Sequence, residues 1–385
     1  MTSNVTSIAR IRTAARARAE RAKSNNRTTT VLLLVAMVLV VIGLGETMSA
    51  SSTVGIDQAA DRFYFFKRQL VGVGIGLVVL VVASRVPYAF YRRIALPLFV
   101  VTIVGLVTVL LIGTEEGGAR RWLVLGGLNF QPSELAKFSM IVLLAALLER
   151  KARNLQTWGH LLVPVGFVVG TIAVLLMKQP DLGTTILVGV VAMAVLWVSP
   201  APGHRVILMG VIGAVSAVLL AFAADYRMDR IVGFLDPWSN ASAEGYQLIQ
   251  GYYALGDGGI FGVGLGASRA RWFYLPNAHT DFIFAIIGEE TGLIGAMTVI
   301  GLFIALAVAG WAVAARAPDL FGKMLATGIT GWISFQALIN IGGVLGVLPI
   351  TGIALPFVSF GSTALITSMG ALGVLVNISQ QGGKA

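Results

Sequence analysis

Ten apolar runs govern what this chain can fold into. They lie at 31–45, 69–84, 94–113, 134–148, 161–177, 183–198, 206–223, 281–313, 324–344 and 357–378. About 20 apolar residues carry a helix across a roughly 30 Å hydrocarbon layer, and only a helix or a closed barrel satisfies its backbone there. With 56% hydrophobic and 12% charged residues and a mean hydropathy of +0.84, 385 residues hold more apolar surface than a soluble core could bury. The expected fold is all-α: a polytopic membrane protein of about ten transmembrane helices. A single membrane domain fills 31–380, with one long extracytoplasmic loop, 224–280, between helices seven and eight.

A formal charge of +10 raises the question of a nucleic-acid partner, but seven of the 28 Lys and Arg residues precede Val31. Residues 1–30 read as a cytoplasmic basic tail with an amphipathic helix on the membrane surface. Positive-inside topology therefore accounts for the charge, and no nucleic acid is needed. An inner N-terminus places 17 of the 28 basic residues on the inner side, together with the tail 381–385, and leaves 15 of the 18 acids in outer loops or the spans beside them. That excess of outward carboxylates points to chemistry on the outer face. The absence of cysteine excludes disulfides and thiolate metal sites. With three histidines in the chain, a divalent ion such as Mg²⁺ would be held by carboxylates or substrate phosphates.

The stretch Pro276–Glu290 passes from a polar loop into the eighth apolar run, with Asp281 at the junction. Thr280 or Asp281 capping the helix is the plain reading. Three acids entering one span exceed what capping explains. On a continuous helix Glu289 lies about 12 Å deeper than Asp281 and within about 80° of it around the axis, whereas Glu290 points away. Gly288 and Gly292 form a small-xxx-small pair that admits a close neighbour.

Other polar residues sit where lipid-facing side chains would be costly. Glu134 and Lys137, three apart after Pro132, would each cost about 2.5–3.5 kcal/mol in hydrocarbon, so they are expected to face each other and a cavity. A structural ion pair and a substrate contact both fit. Asp181, after Gln179-Pro180, either caps the sixth span or serves the outer-face site. Arg227 and Arg230 are available to an anionic head group. Ser359 and Ser362, beside Pro356 and Gly361, are expected to line the same site or to cap.

Together these residues resemble one family closely. Gly118-Ala119-Arg120-Arg121-Trp122, Gln131-Pro132-Ser133-Glu134-Leu135-Ala136-Lys137, Gln179-Pro180-Asp181-Leu182-Gly183-Thr184, the loop Arg230–Gly266 with Gln247, His279-Thr280-Asp281-Phe282-Ile283-Phe284 and Leu355-Pro356-Phe357-Val358-Ser359-Phe360-Gly361 are similar, in order, to motifs of the FtsW/RodA-type SEDS proteins. Thr47–Ser51 and Tyr274-Leu275-Pro276 favour the division branch over the elongation branch. Asn277, Gly251-Tyr252 and the filling Asn240–Glu244 depart from the family pattern.

The resemblance implies a peptidoglycan glycosyltransferase of the bacterial cytoplasmic membrane, with both termini cytoplasmic, acting at the septum. It polymerises lipid II into a nascent glycan strand beside a class B penicillin-binding protein and other divisome proteins, among membrane lipids. Asp281 corresponds to the essential acid of the family, and Glu134, Lys137 and Asp181 to cavity positions. A diphosphate leaving group needs no general acid, so one base suffices. Arg120, Arg121, Lys137, Arg227 and Arg230 are candidates to receive the diphosphate, with Trp122, Gln179, Gln247, His279, Thr280 and Glu289 as further contacts. Two rival classes remain at this level: a lipid II flippase, and a division scaffold with an elongation-type role.

Overall fold

The computed structural model describes residues 2–382 except 117, 126, 127, 244, 273, 274 and 277. Tyr274, Asn277, Glu244 and the end of the 381–385 tail thus lie outside the described residues. Among the described residues ten helices occupy the ten apolar runs, and seven shorter elements, one of them a single 3-10 turn at Ala152–Asn154, join them.

The chain enters through α1 (Thr2–Ala50), a single helix that includes the basic segment as well as the first span, so that segment is not set off as a separate surface helix. A short α2 (Ser52–Ala59) leads into α3 (Tyr64–Arg85) and α4 (Tyr88–Ile112). Where all-helical structure was expected, three short antiparallel strands follow: β1 (Thr114–Glu116), β2 (Ala119–Leu125) and β3 (Leu128–Phe130), in that order. Arg120, Arg121 and Trp122 therefore project from a β-ribbon. The bundle continues with α5 (Pro132–Arg150), α6 (Trp158–Lys178), α7 (Leu182–Val198) and α8 (Gly203–Phe222).

The 224–280 connection is not irregular throughout. It contains α9 (Asp225–Leu235) and α10 (Tyr246–Gly258) before α11 (Ile283–Ala315), α12 (Leu320–Val344) and α13 (Ser362–Gly382). Eight of the helices are long and apolar enough to cross a membrane. Of the other two, α7 has only 17 residues and α5 carries Glu134 and Lys137 in its first turns. The chain is a multi-pass membrane protein.

α12 and α13 form the centre, buried along nearly their whole length. α13 packs on α3, and α12 on α11, α7 and α5. α8 stands at the edge, with Val206 its one buried residue among those described.

α11 departs from the expected continuous helix. At Gly292 the backbone turns to φ 68°, ψ −166°, dividing a short segment 283–291 from a 23-residue span, 293–315. That division removes the length problem a continuous 33-residue helix would have. The backbone groups released at the break are taken up by the glycine-rich loop: Val263 N donates to Glu289 O at 2.9 Å, Gly264 N to Glu290 O at 3.0 Å, and Leu293 N to Gly259 O at 2.9 Å. Irregular backbone at membrane depth requires such partners. Gly258 and Leu255 of α10 press against Gly288, so the close neighbour admitted by Gly288 is a loop helix.

Candidate active site

Asp281 lies in a turn two residues before α11, whose N-cap position is Phe282 with no side-chain cap hydrogen bond. Neither Thr280 nor Asp281 caps the helix. The carbonyls of three successive residues are instead taken by distant parts of the chain. His279 O accepts from Phe360 N at 3.0 Å, Thr280 O from Ser359 Oγ at 2.6 Å, and Asp281 O from Asn340 Nδ2 at 2.8 Å. Ser359 Oγ also accepts from Leu355 N at 2.8 Å, so it braces the turn rather than lining a cavity.

The Asp281 side chain lines a pocket of about 10 Å³ with Asn340, Gly352 and Ile353. Gly352 has φ 71°, and a Cβ there would sit 3.4 Å from Asp281 Oδ2. Although the residue keeps some exposed surface, burial pushes its carboxyl up from 3.8 to about 6. Arg230 and Arg121 oppose that rise and Asp181 adds to it.

Ile339, Ile350 and Thr351 belong both to this pocket and to a cavity of about 240 Å³. Arg121, Asp181, Arg227 and Arg230 supply its charges, and Ile186, Ile231 and Leu348 are among its apolar walls. Arg121 reaches from β2 to Gln179 O at 3.1 Å and Pro180 O at 2.7 Å. Asp181 caps α7, accepting from Thr184 N at 3.0 Å, and also lines the cavity. Arg227 donates to Leu220 O at 2.6 Å. The cavity thus pairs an apolar wall with three guanidinium groups, a lining suited to a lipid-linked anion.

Several expected site residues lie elsewhere. Lys137 and Glu134 pair at 2.8 Å, but inside the core rather than on the cavity. Lys137 Nζ also donates to Gln336 Oε1 at 2.8 Å and stands 5.1 Å over the Trp332 ring, so the pair joins α5 to α12. Arg120 is exposed on the ribbon, 3.6 Å from Glu115. Trp122 is half-buried in β2, outside the cavity lining. Gln179 Nε2 turns to Leu106 O at 3.4 Å. Gln247 Nε2 ties α10 to Pro276 O at 3.1 Å. Ser362 Oγ reaches Arg68 O at 3.4 Å.

His279 is wedged between Phe65 and Phe360, at ring distances of 4.9 and 5.8 Å, and burial pushes its imidazole down to about 4. Glu289 does not extend the site below Asp281. Its carboxylate accepts from Arg269 N at 2.7 Å, from Ala270 N and from Ser268 Oγ. Glu290 accepts from Gly266 N at 2.8 Å and from Ser49 Oγ of α1. Both acids splice the 266–270 loop onto the broken helix. Among the described residues no cluster of three or more His, Asp or Glu side chains is arranged to hold a metal.

Two uncharged polar residues that no charge or motif marks also border the site. Asn340 and Gln336 lie four apart on one face of α12, at i, i+4 spacing within an apolar run, and that uncharged polar spacing was the available signal.

The profile of the FtsW/RodA/SpoVE family, described as cell cycle protein, matches residues 29–384. Stage V sporulation protein E of Bacillus subtilis is 40% identical over 341 residues, 88% of this chain and 93% of that protein. A probable peptidoglycan glycosyltransferase FtsW of Geobacter sulfurreducens is 39% identical over 333 residues, covering 86% and 89%. A chain from a structure on the coordination of polymerization and crosslinking by a peptidoglycan synthase complex superposes with TM-score 0.73 at 28% identity, over 91% of this chain and 97% of that one. The rod shape determining protein RodA of Thermus thermophilus superposes with TM-score 0.66 at 27% identity, covering 91% and 96%.

Proposed function

The chain belongs to the FtsW/RodA/SpoVE family, and from that premise we propose that it polymerises lipid II into β-1,4-linked glycan at the outer face of the bacterial cytoplasmic membrane, with Asp281 as general base. Its relatives are named peptidoglycan glycosyltransferases, and it is a glycosyltransferase of that kind. The observation that carries the mechanism is the placement of Asp281 on a small pocket that shares Ile339, Ile350 and Thr351 with a cavity lined by Arg121, Arg227 and Arg230, where burial pushes its carboxyl up to about 6.

In this reading the Asp281 carboxylate takes the proton of the acceptor GlcNAc 4-hydroxyl. The oxygen attacks the anomeric carbon of the donor MurNAc as the bond to the diphosphate breaks, inverting that centre. The electron pair leaves with undecaprenyl diphosphate, whose charge the cavity arginines receive. The apolar wall suits the lipid carrier, which departs sideways into the membrane. A raised basicity helps Asp281 accept a proton while leaving it mostly ionised at neutral pH.

The same reading places the termini in the cytoplasm and the enzyme at the septum, with residues 1–30 and 381–385 as tails of one membrane domain spanning 31–380. The partner is a class B penicillin-binding protein. Support comes from the peptidoglycan synthase complex that the fold matches. The division branch is supported by the sequences Thr47–Ser51 and Tyr274-Leu275-Pro276.

The decisive experiment is polymerisation of lipid II by purified protein, with and without its transpeptidase partner, beside Asp281→Asn. Glycan of equal yield from the variant would sink the assignment of the base. Lipid II translocation in vesicles without polymer formation would favour a flippase.

A further inference from the structure

We propose that Asn340 is a positioning residue for Asp281, an inference that rests on the reading of Asp281 as the base. Both Asn340 Nδ2 protons are engaged, one on Asp281 O and one on Ile353 O, each at 2.8 Å. That pairing settles the orientation of the carboxamide, because turned over it would set an oxygen against two carbonyl oxygens. Asn340 Oδ1 is left buried without a hydrogen-bond partner, on a residue that lines the small pocket with Asp281.

One turn earlier on α12 the same logic repeats. Gln336 Oε1 receives Lys137 Nζ at 2.8 Å and Trp332 Nε1 at 2.7 Å, which commits its Nε2 to Ala354 O at 2.8 Å. Two carboxamides on one helix face thus hold the two chain segments that border the carboxylate, 281 and 353–354. Lys137 braces the first of these carboxamides.

A buried carboxamide is an expensive way to fix a loop, since any polar atom left unmet there keeps its desolvation cost. Its benefit is geometric. A reacting group displaced by about 1 Å loses on the order of 100-fold in rate, and Asp281 precedes its helix without a cap of its own. Asn340 gives it a fixed point on α12, one of the two most buried helices of the bundle.

The test measures lipid II polymerisation across pH for Asn340→Ala, Asn340→Asp, Asp281→Asn and, as control, Thr327→Val, which removes a buried hydroxyl without a partner on the same helix. Asn340→Ala is expected to lower kcat at least tenfold with KM within about twofold, as loss of positioning requires. Asn340→Asp keeps the volume but replaces the donor by a second carboxylate facing Asp281, which already sits among Arg121, Arg230 and Asp181. The acid limb of its kcat profile is expected to move up by about one pH unit. Thr327→Val is expected to match the parent.

A role limited to folding would lower the melting temperature and the yield of active enzyme without moving the acid limb. Overturning results are an Asn340→Ala kcat within twofold of the parent, or an unmoved limb in Asn340→Asp. Activity surviving in Asp281→Asn would overturn the base assignment itself. Activity lost there but intact in Asn340→Ala would overturn the positioning role alone.

Discussion

The guanidinium of Arg121 grips the main-chain oxygen of Pro180 at 2.7 Å, fastening the β-ribbon to the residue before the cavity acid Asp181. The same group donates to Gln179 O at 3.1 Å, so one side chain fixes the turn between α6 and α7 and sets a positive charge on the cavity wall. Lysine lacks the rigid planar fork that reaches the two oxygens from separate nitrogens. Arg121→Lys is expected to lower lipid II polymerisation by about tenfold and Arg121→Ala by about 100-fold, scaled from roughly 1.5–3 kcal/mol for a hydrogen bond to a charged group. Initial rates on purified lipid II check this.

The pH dependence follows from Asp281. A general base works when ionised, so a carboxyl raised from 3.8 to about 6 places the acid limb near pH 6 rather than near 4. The rate is expected to fall about tenfold per pH unit below that point. Arg230 holds the value down, so Arg230→Gln should shift the limb to higher pH. A limb near pH 4 in the parent would contradict the burial of this group.

The Glu134–Lys137 pair makes a separate prediction about stability. Removing one member leaves a charge in the core, where breaking a buried pair costs about 3–5 kcal/mol. Lys137→Met should therefore lower the melting temperature of detergent-solubilised protein sharply. Glu134→Gln combined with Lys137→Met should recover much of the loss. Equal losses in the single and double variants would show that packing, not charge, sets the effect.

The break in α11 is equally open to test. Gly292 has a backbone conformation that L side chains rarely adopt, and a Cβ there would meet the backbone of Ile260 and Gly262. Gly292→Ala is expected to destabilise the protein by at least about 1–3 kcal/mol, the usual scale of such strain. Gly301→Ala, in the same helix with nothing within 4 Å of a new Cβ, should be neutral or mildly stabilising. Thermal unfolding of both variants in detergent decides the matter.

Much of this protein is legible along the chain. The ten apolar runs became ten helices, and the acid at the head of the eighth lies on a pocket beside the large cavity. Glu289 shows where a sequence argument fails. Its angular nearness to Asp281 assumes a continuous helix with a cavity beside it, and the structure supplies a loop whose N–H groups take the carboxylate. Lys137 shows a different limit. A charge in an apolar run signals a partner, and spacing identified Glu134, but Gln336 lies 199 residues away.

By itself, then, the sequence determined the lipid-spanning all-helical frame and the identity of the candidate base. Hydropathy is a local sum that the membrane reads run by run, and the motif residues are adjacent along the chain. Only the tertiary structure decided how Asp281 is held, where α11 breaks and which polar side chains reach the cavity. Those outcomes depend on hydrogen bonds between residues such as Ser359 and Thr280, 79 positions apart, or Asn340 and Asp281, 59 apart. Such bonds form only once packing has brought the distant segments together, and a polar group withdrawn from water there must take whichever partner the fold brings within reach.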